Sequence, residues 1–314
     1  MTILETSRRT ASTRRLGTDV STAQCLDEAL ALAQLDWTIE EHPADNIIVM
    51  SNGRMIDTFM PGRRLFLRSD NHMTLNVGGG RYHPVDNRTA FAVADHAVAM
   101  GARFTVAGER KHGALAYLEL DLPDANVKVG GKDLVTFQMV LKAAHDGQGK
   151  ISGSANARRL ECTNGMTANI GVPYVFEIGH TKKADEQLAE AKKLMQDAVQ
   201  YARGFAAVAE HMLDTPMNRR EFVAFIDGLY PEPDAADARK HGRWERRRDD
   251  MVSLFMFAQT NDFGRQTRWG AYSAITEWLD WGVTAKADHE VLAARQFDST
   301  HQDTKNRALG LLMA

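Results

Sequence analysis

The sequence predicts an α+β fold: an antiparallel β layer with one intervening helix, followed by a helical C-terminal half. Three observations carry that prediction. Up to about residue 180, apolar residues come in short runs bounded by turn signals such as Asn52-Gly53, the pattern of successive hairpins. Within this region, residues 88–100 switch to helical spacing behind Asp86-Asn87. Beyond Thr181 the apolar residues recur three and four apart almost without interruption.

Taken in order, residues 1–17 are rich in Ser, Thr and Arg, have no apolar periodicity, and read as a flexible basic arm containing Arg8, Arg9, Arg14 and Arg15. A Ser-capped helix is expected over 22–35, with Ala23, Leu26, Leu30 and Ala33 near one face. Strands follow at 37–41, 47–50, 64–68 and 73–77, with turns at Ser51-Asn52-Gly53-Arg54 and Asn71-His72. Gly78-Gly79-Gly80 should then break the sheet. Asp86-Asn87 caps the helix over 88–100, which Gly101 ends. A second β set is expected at 103–107, 114–120 and 135–143, turning at Lys111-His112-Gly113 and Val129-Gly130-Gly131-Lys132 and closing with 157–163. Helices are expected at 184–213, 219–229, 236–258, 268–282 and 304–312. The organisation is thus an arm over 1–17, a β-rich core over 18–180 and a helical subdomain over 181–314. No linker separates the last two, because His180-Thr181-Lys182 leads directly into a helix.

Composition narrows the function classes. With 314 residues, 44% of them hydrophobic, the chain can bury a substantial core. No run of about 18 apolar residues occurs and the N-terminus lacks an apolar signal segment, so a cytoplasmic protein without membrane contact is expected. Cys25 and Cys162 are too few for a disulfide framework or paired zinc knuckles, and neither a metal nor another cofactor is expected. A net charge of −3 argues against nucleic-acid binding through bulk charge alone. Local charge is another matter. Residues 239–248 gather six Lys and Arg around Trp244, so Arg243, Trp244, Arg246, Arg247 and Arg248 become candidates for phosphate contact and base stacking. The plainer alternative is a solvated helix face.

Other candidates sit at strand ends. Gly78-Gly79-Gly80 matches neither the phosphate-binding nor the dinucleotide-binding glycine spacing, but Arg81 and Tyr82 just after it could contact a phosphate and stack on a base. His145, Asp146, Cys162 and His180 are residue types that hold zinc or activate a thiolate, although their separations match no known catalytic motif. Asp146-Gly147 is equally well explained as a turn. Arg158 and Arg159 suit an anion-binding strand. Strand alternation places Cys162 on the face of Leu160, where it reads as a small core residue.

Several of these segments also carry a family resemblance. Asn76-Val77-Gly78, Tyr82-His83-Pro84-Val85, His145-Asp146-Gly147, the run Arg158-Arg159-Leu160-Glu161-Cys162-Thr163-Asn164, His180-Thr181, and the segment from Thr267-Arg268-Trp269-Gly270 to Trp278 together resemble the phage/plasmid-like protein family, classified by domain of unknown function 932. The resemblance runs from about Val77 to the end of the chain. It implies a lineage without a reaction. The order of hairpins, helix and further strands is also similar to that of the phage single-strand annealing proteins RecT, Red-beta and Erf. That similarity implies a non-enzymatic homo-oligomer that holds single-stranded DNA in a basic groove during recombination or replication of mobile elements. Arg81, Tyr82, Arg158 and Arg159 would line the groove, and the 243–248 cluster would form an outer contact. Two other readings stay open: an enzyme built on His145, Asp146, Cys162 and His180, and a host-directed, antirestriction-like interaction protein.

Overall fold

The structure is a computed structural model, and it describes residues 17–44, 47–159, 165–166, 175–194, 197–234, 237–282 and 299–314. In chain order these form β1 (Thr18–Asp19), α1 (Leu26–Leu32), β2 (Ile39–Pro43), β3 (Ile47–Ser51), β4 (Arg54–Thr58), β5 (Arg63–Arg68), β6 (Thr74–Gly79), α2 (Asn87–Ala90) and α3 (Val93–Ala99). Then come β7 (Arg103–Arg110), β8 (Leu115–Asp121), β9 (Val127–Val129), β10 (Asp133–Ala144), β11 (Ile151–Arg159), β12 (Gly165–Met166) and β13 (Val175–Ile178). The helical half comprises α4 (Ala184–Leu194), α5 (Asp197–Asp214), α6 (Arg219–Leu229), α7 (Ala238–Phe257), α8 (Arg268–Trp281) and α9 (Ser299–Met313). The α+β reading therefore holds.

The main sheet is antiparallel in every pair and ordered β1-β7-β8-β10-β11-β12, with β9 also on β10 and β13 also on β11. Strand alternation makes it two-faced. Along β10, Val135, Phe137, Met139, Leu141 and Ala143 point one way and are buried. The first two belong to the core of the C-terminal helices, built around Trp269, Tyr272, Phe222 and Phe255. Met139, Leu141 and Ala143 belong to a second core with α1, α2 and α3. One strand thus supplies both.

Two smaller β units stand apart from that sheet. One is ordered β2-β5-β6; the other is the β3-β4 hairpin, whose Asn52-Gly53 turn has φ of 51° and 75°, as the sequence pattern demands.

Several expectations need correcting. Gly78 and Gly79 do not break the sheet but continue β6, opposite Arg64 and Arg63, because chain reversal waits until Gly80. At Gly78 a side chain would meet the Phe66 ring at 2.8 Å, so glycine there serves close packing. The helix expected over 88–100 is two short helices, α2 and α3. Asp86 does not cap the first of them, since its carboxylate accepts the Ile39 amide at 2.7 Å. Helix α1 begins at Leu26, not residue 22, with Cys25 as its N-cap. The strand expected at 157–163 starts earlier, at Ile151. Helix α6 matches its expected bounds because Asn218 and Glu221 form a reciprocal capping box.

Candidate functional site

The described residues bring two regions of candidate chemistry together, one where the small β2-β5-β6 sheet meets the turn after β10, the other along α7.

At the sheet junction the polar signatures converge on a chain of rings. Phe66 of β5 meets Tyr82 edge-on at 4.8 Å between ring centroids, and Tyr82 stacks on His180 at 4.9 Å. His180 lies 6.3 Å from His145, which meets Trp37 edge-on at 5.2 Å. Arg68 closes the row, with its guanidinium 4.5 Å from the centre of the Trp37 ring. The same guanidinium donates to Asp70 at 2.7 Å and to Glu109 at 2.6 Å, and the Trp37 indole N–H reaches Glu109 at 3.3 Å. Arg68 is consequently a buried fastener between the small sheet and β7.

His145 is fully buried, and its tautomer can be deduced. The Asn87 amide donates to the Leu35 carbonyl at 3.0 Å, which leaves the Asn87 oxygen to accept from His145 Nε2 at 2.8 Å. The proton therefore sits on Nε2, and Nδ1 is a buried lone pair with no hydrogen-bond partner. Burial, then the neighbouring His180, push the imidazole down to a pKa of about 3. Such a ring is a poor general base at neutral pH. His180 is also lowered, first by burial; its ring nitrogens face the Ala144 and His83 backbone without reaching hydrogen-bond geometry. Tyr82 is raised to about 12, chiefly by burial. Asp146 makes the turn, its Oδ1 accepting the amides of Gln148 and Gly149 at 3.0 Å. Gly147 has φ of 74°, and a side chain there would strike Asn76 at 2.4 Å. His145, Asp146, His180 and Tyr82 do converge, but as packed and turn-forming groups. Cys162 lies outside the described residues. Among the described residues no three His, Cys, Asp or Glu side chains come together as metal ligands.

Beside this packed core lies an open cleft of about 750 Å³, lined by Glu41, Pro43, Gly62, Arg63, Arg64 and Gly80. Arg64 is ion-paired with Glu41, while Arg63 and Arg81 are exposed and make no ion pair among the described residues. Arg81 directly follows Gly80 of the cleft wall. Arg81 is exposed at the edge of the cleft, and Tyr82 is turned inward. Arg63 and Arg64 were not anticipated as site residues. The available signal was two adjacent arginines at the start of a strand facing a glycine run.

The other predicted groove residues separate. Arg159 is fully buried in an ion pair with Asp133, whose Oδ2 also accepts the Trp269 indole N–H at 2.8 Å, and its guanidinium lies 5.9 Å from the Trp269 ring. It is a core residue and not a groove contact, because its strand parity matches the apolar face of β11. Arg158, one residue earlier, pairs through its backbone with Thr136 and Gly165; its side chain lies outside the described residues.

On α7 the basic cluster divides in the same manner. Arg239, Arg243 and Arg246 are exposed at four- and three-residue spacing, and among the described residues none makes an ion pair. Arg247 lies 4.4 Å over Tyr230 and 5.4 Å from Trp278, and Arg248 lies 4.6 Å over Trp244 and 3.8 Å from Asp227. Trp244 is buried, donating to the Tyr230 carbonyl at 2.8 Å, and so presents no face for a base to stack on.

The comparisons with known proteins bear on this arrangement through the family alone. A family model described as Domain of unknown function (DUF932) matches residues 74–309, taking in β6, the junction rings from Tyr82 onward, the main sheet from β7 onward and the helical half up to Leu309. The chain belongs to this family. The DUF932 match leaves the β3-β4 hairpin and the Arg63-Arg64 wall of the cleft N-terminal to it. No curated protein and no solved structure matches the chain.

Proposed function

We propose that this DUF932 protein binds nucleic acid, holding single-stranded DNA by its phosphate backbone during recombination or replication of a phage or plasmid. The observation that carries the reading is the open cleft in which Arg63 and Arg64 face the glycine end of β6, with Arg81 next along the chain. Exposed guanidinium groups beside glycine backbone without side chains suit a polyanion, since they donate to phosphate oxygens without selecting a base and the glycines let a strand come close. Arg239, Arg243 and Arg246 supply a second row of cations on α7. The buried ring chain serves as the rigid floor on which the small sheet is held. An enzyme centred on His145 is less well supported, because that ring is sealed in the core and stays neutral well below physiological pH.

The test is fluorescence anisotropy with a labelled single-stranded oligonucleotide over a salt series. Replacing Arg63, Arg64 and Arg81 together by Gln should weaken binding at least ten-fold for every sequence tried and flatten the log–log salt slope by about 2–3, since counterion release scales with the phosphates neutralised. Equal affinity and slope in a folded triple variant would refute the cleft as the site.

A further inference from the structure

Among the described residues, exposed large apolar side chains gather on the β3-β4 hairpin and the segment just after it. Ile48 (60% exposed), Met50 (65%), Met55 (68%) and Phe59 (64%) stand in solvent, together with Ile56 and Met60. The register pairs Ile48 with Asp57, Met50 with Met55 and Ser51 with Arg54, so apolar side chains occupy both faces of a ribbon that adds to no other strand among the described residues. Six large apolar residues exposed to this degree leave on the order of 600 Å² of apolar surface, divided between the two faces of the ribbon and the segment after it.

We propose that this hairpin is the contact between two copies of this chain, which pair edge to edge through β3. Three features select a second copy. The two strand edges differ: β4 carries Arg54 and Asp57, charges of the kind that guard an exposed edge, whereas β3 (Ile47–Ser51) carries none. A two-fold axis through the middle of β3, at Val49, sets Ile48 of each copy opposite Met50 of the other and joins two marginal two-stranded ribbons into a four-stranded sheet. Finally, the symmetry makes the Ile48–Met50 cross-strand contact twice, so the seam takes apolar side-chain surface from water while main-chain hydrogen bonds close the free edge. Nucleic acid fits this surface poorly, because the single cation Arg54 is balanced by Asp57 and phosphate contact needs a surplus of positive charge. The hairpin leads through Phe59 and Met60 to Gly62 and Arg63 of the cleft, so a dimer built this way carries two clefts flanking one shared sheet.

The experiment is light scattering and sedimentation of the full chain at about 50 µM, where a Kd near 1 µM leaves little monomer. A mass twice 34.9 kDa is expected. Ile48→Lys with Met50→Lys should shift the chain to monomer with at least a hundred-fold weaker self-association, while Leu311→Lys, an exposed apolar position on α9, should leave the dimer intact. Should the double variant fold poorly, hydrogen exchange of the wild type decides: the amides of 47–51 should be protected in proportion to concentration. A monomeric wild type overturns the proposal. So does an unchanged dimer in the folded double variant, or a wild-type monomer that floats with phosphatidylcholine vesicles, which would make the hairpin a membrane contact. Loss of oligonucleotide affinity in that variant with no change of mass would also overturn it, by assigning the hairpin to DNA.

Discussion

Against the C-terminal helices Arg247 lies on Tyr230, Arg248 on Trp244 and Arg159 beside Trp269, whereas at the cleft of the small sheet Arg63 and Arg81 extend into solvent next to an apolar ribbon. The two regions use the same residue types for opposite ends. A guanidinium over a ring has traded hydration for stacking and fixes the packing of helices. An arginine left in water beside bare glycine backbone keeps its donors available for a ligand. Clusters of basic and aromatic residues in a sequence therefore mark function only where the fold leaves them in solvent.

The sharpest way to break this contrast is to unpair a buried cation. Asp133→Ala removes the ion-pair carboxylate beside Arg159 and the acceptor of the Trp269 indole, and should cost about 3–5 kcal/mol in chemical denaturation. Replacing both partners by apolar residues, as in Asp133→Leu with Arg159→Met, should recover most of that loss. If Asp133→Ala is nearly neutral, the pair does not hold β10 and β11 to the C-terminal helices.

Next in size is the pH response of the junction. His145 has a pKa of about 3 in the fold and about 6.5 when unfolded, so below pH 6.5 the unfolded chain binds a proton that the folded ring refuses. Stability is therefore whole above pH 6.5 and should fall by about 2–3 kcal/mol by pH 4.5 on account of this group. His145→Gln keeps a donor toward Asn87 and should flatten that decline; an identical pH profile would remove His145 as its source. Asn87→Ala, which strands the Leu35 carbonyl and the His145 N–H together, should cost about 1–3 kcal/mol at pH 7 in the same assay. The smallest effect on stability belongs to the exposed row: Arg243→Gln with Arg246→Gln should shift unfolding by less than about 0.5 kcal/mol. If these arginines contact phosphate, the same pair should lower the salt slope of DNA binding by about 2.

How much of this was legible in the sequence depended on range. The Asn52-Gly53 hairpin, the bounds of α6 and the Asp146-Gly147 turn were readable because each is set by residues within four positions of one another. The burial of Arg159 was not, since its partner Asp133 is 26 residues away and Trp269 lies 110 further on. The strand edge was misjudged too: beginning β11 at Ile151 rather than 157 reveals a nine-residue apolar alternation on which Arg159 falls in phase with Ala155 and Ala157. Trp244 and Tyr82 were read as stacking platforms from composition. Only their hydrogen-bond and ring partners, 14 and about 100 residues away, turn them inward. The apolar ribbon was visible as hydrophobic residues on both sides of a tight turn, a pattern that does not show whether anything covers it.

Strand β10 sets how the molecule comes apart. Its twelve residues hold Val135 and Phe137 in one core and Met139, Leu141 and Ala143 in the other, all on one unbroken run of backbone paired with β8 and β11. Melting either core strips one end of a ladder whose other end supports the remaining half, so both halves should unfold in one transition. A fragment cut near residue 180 would leave Val135, Phe137 and Ala157 facing water in place of the C-terminal helices. Such a piece would present a sticky sheet, prone to join its neighbours before it could fold.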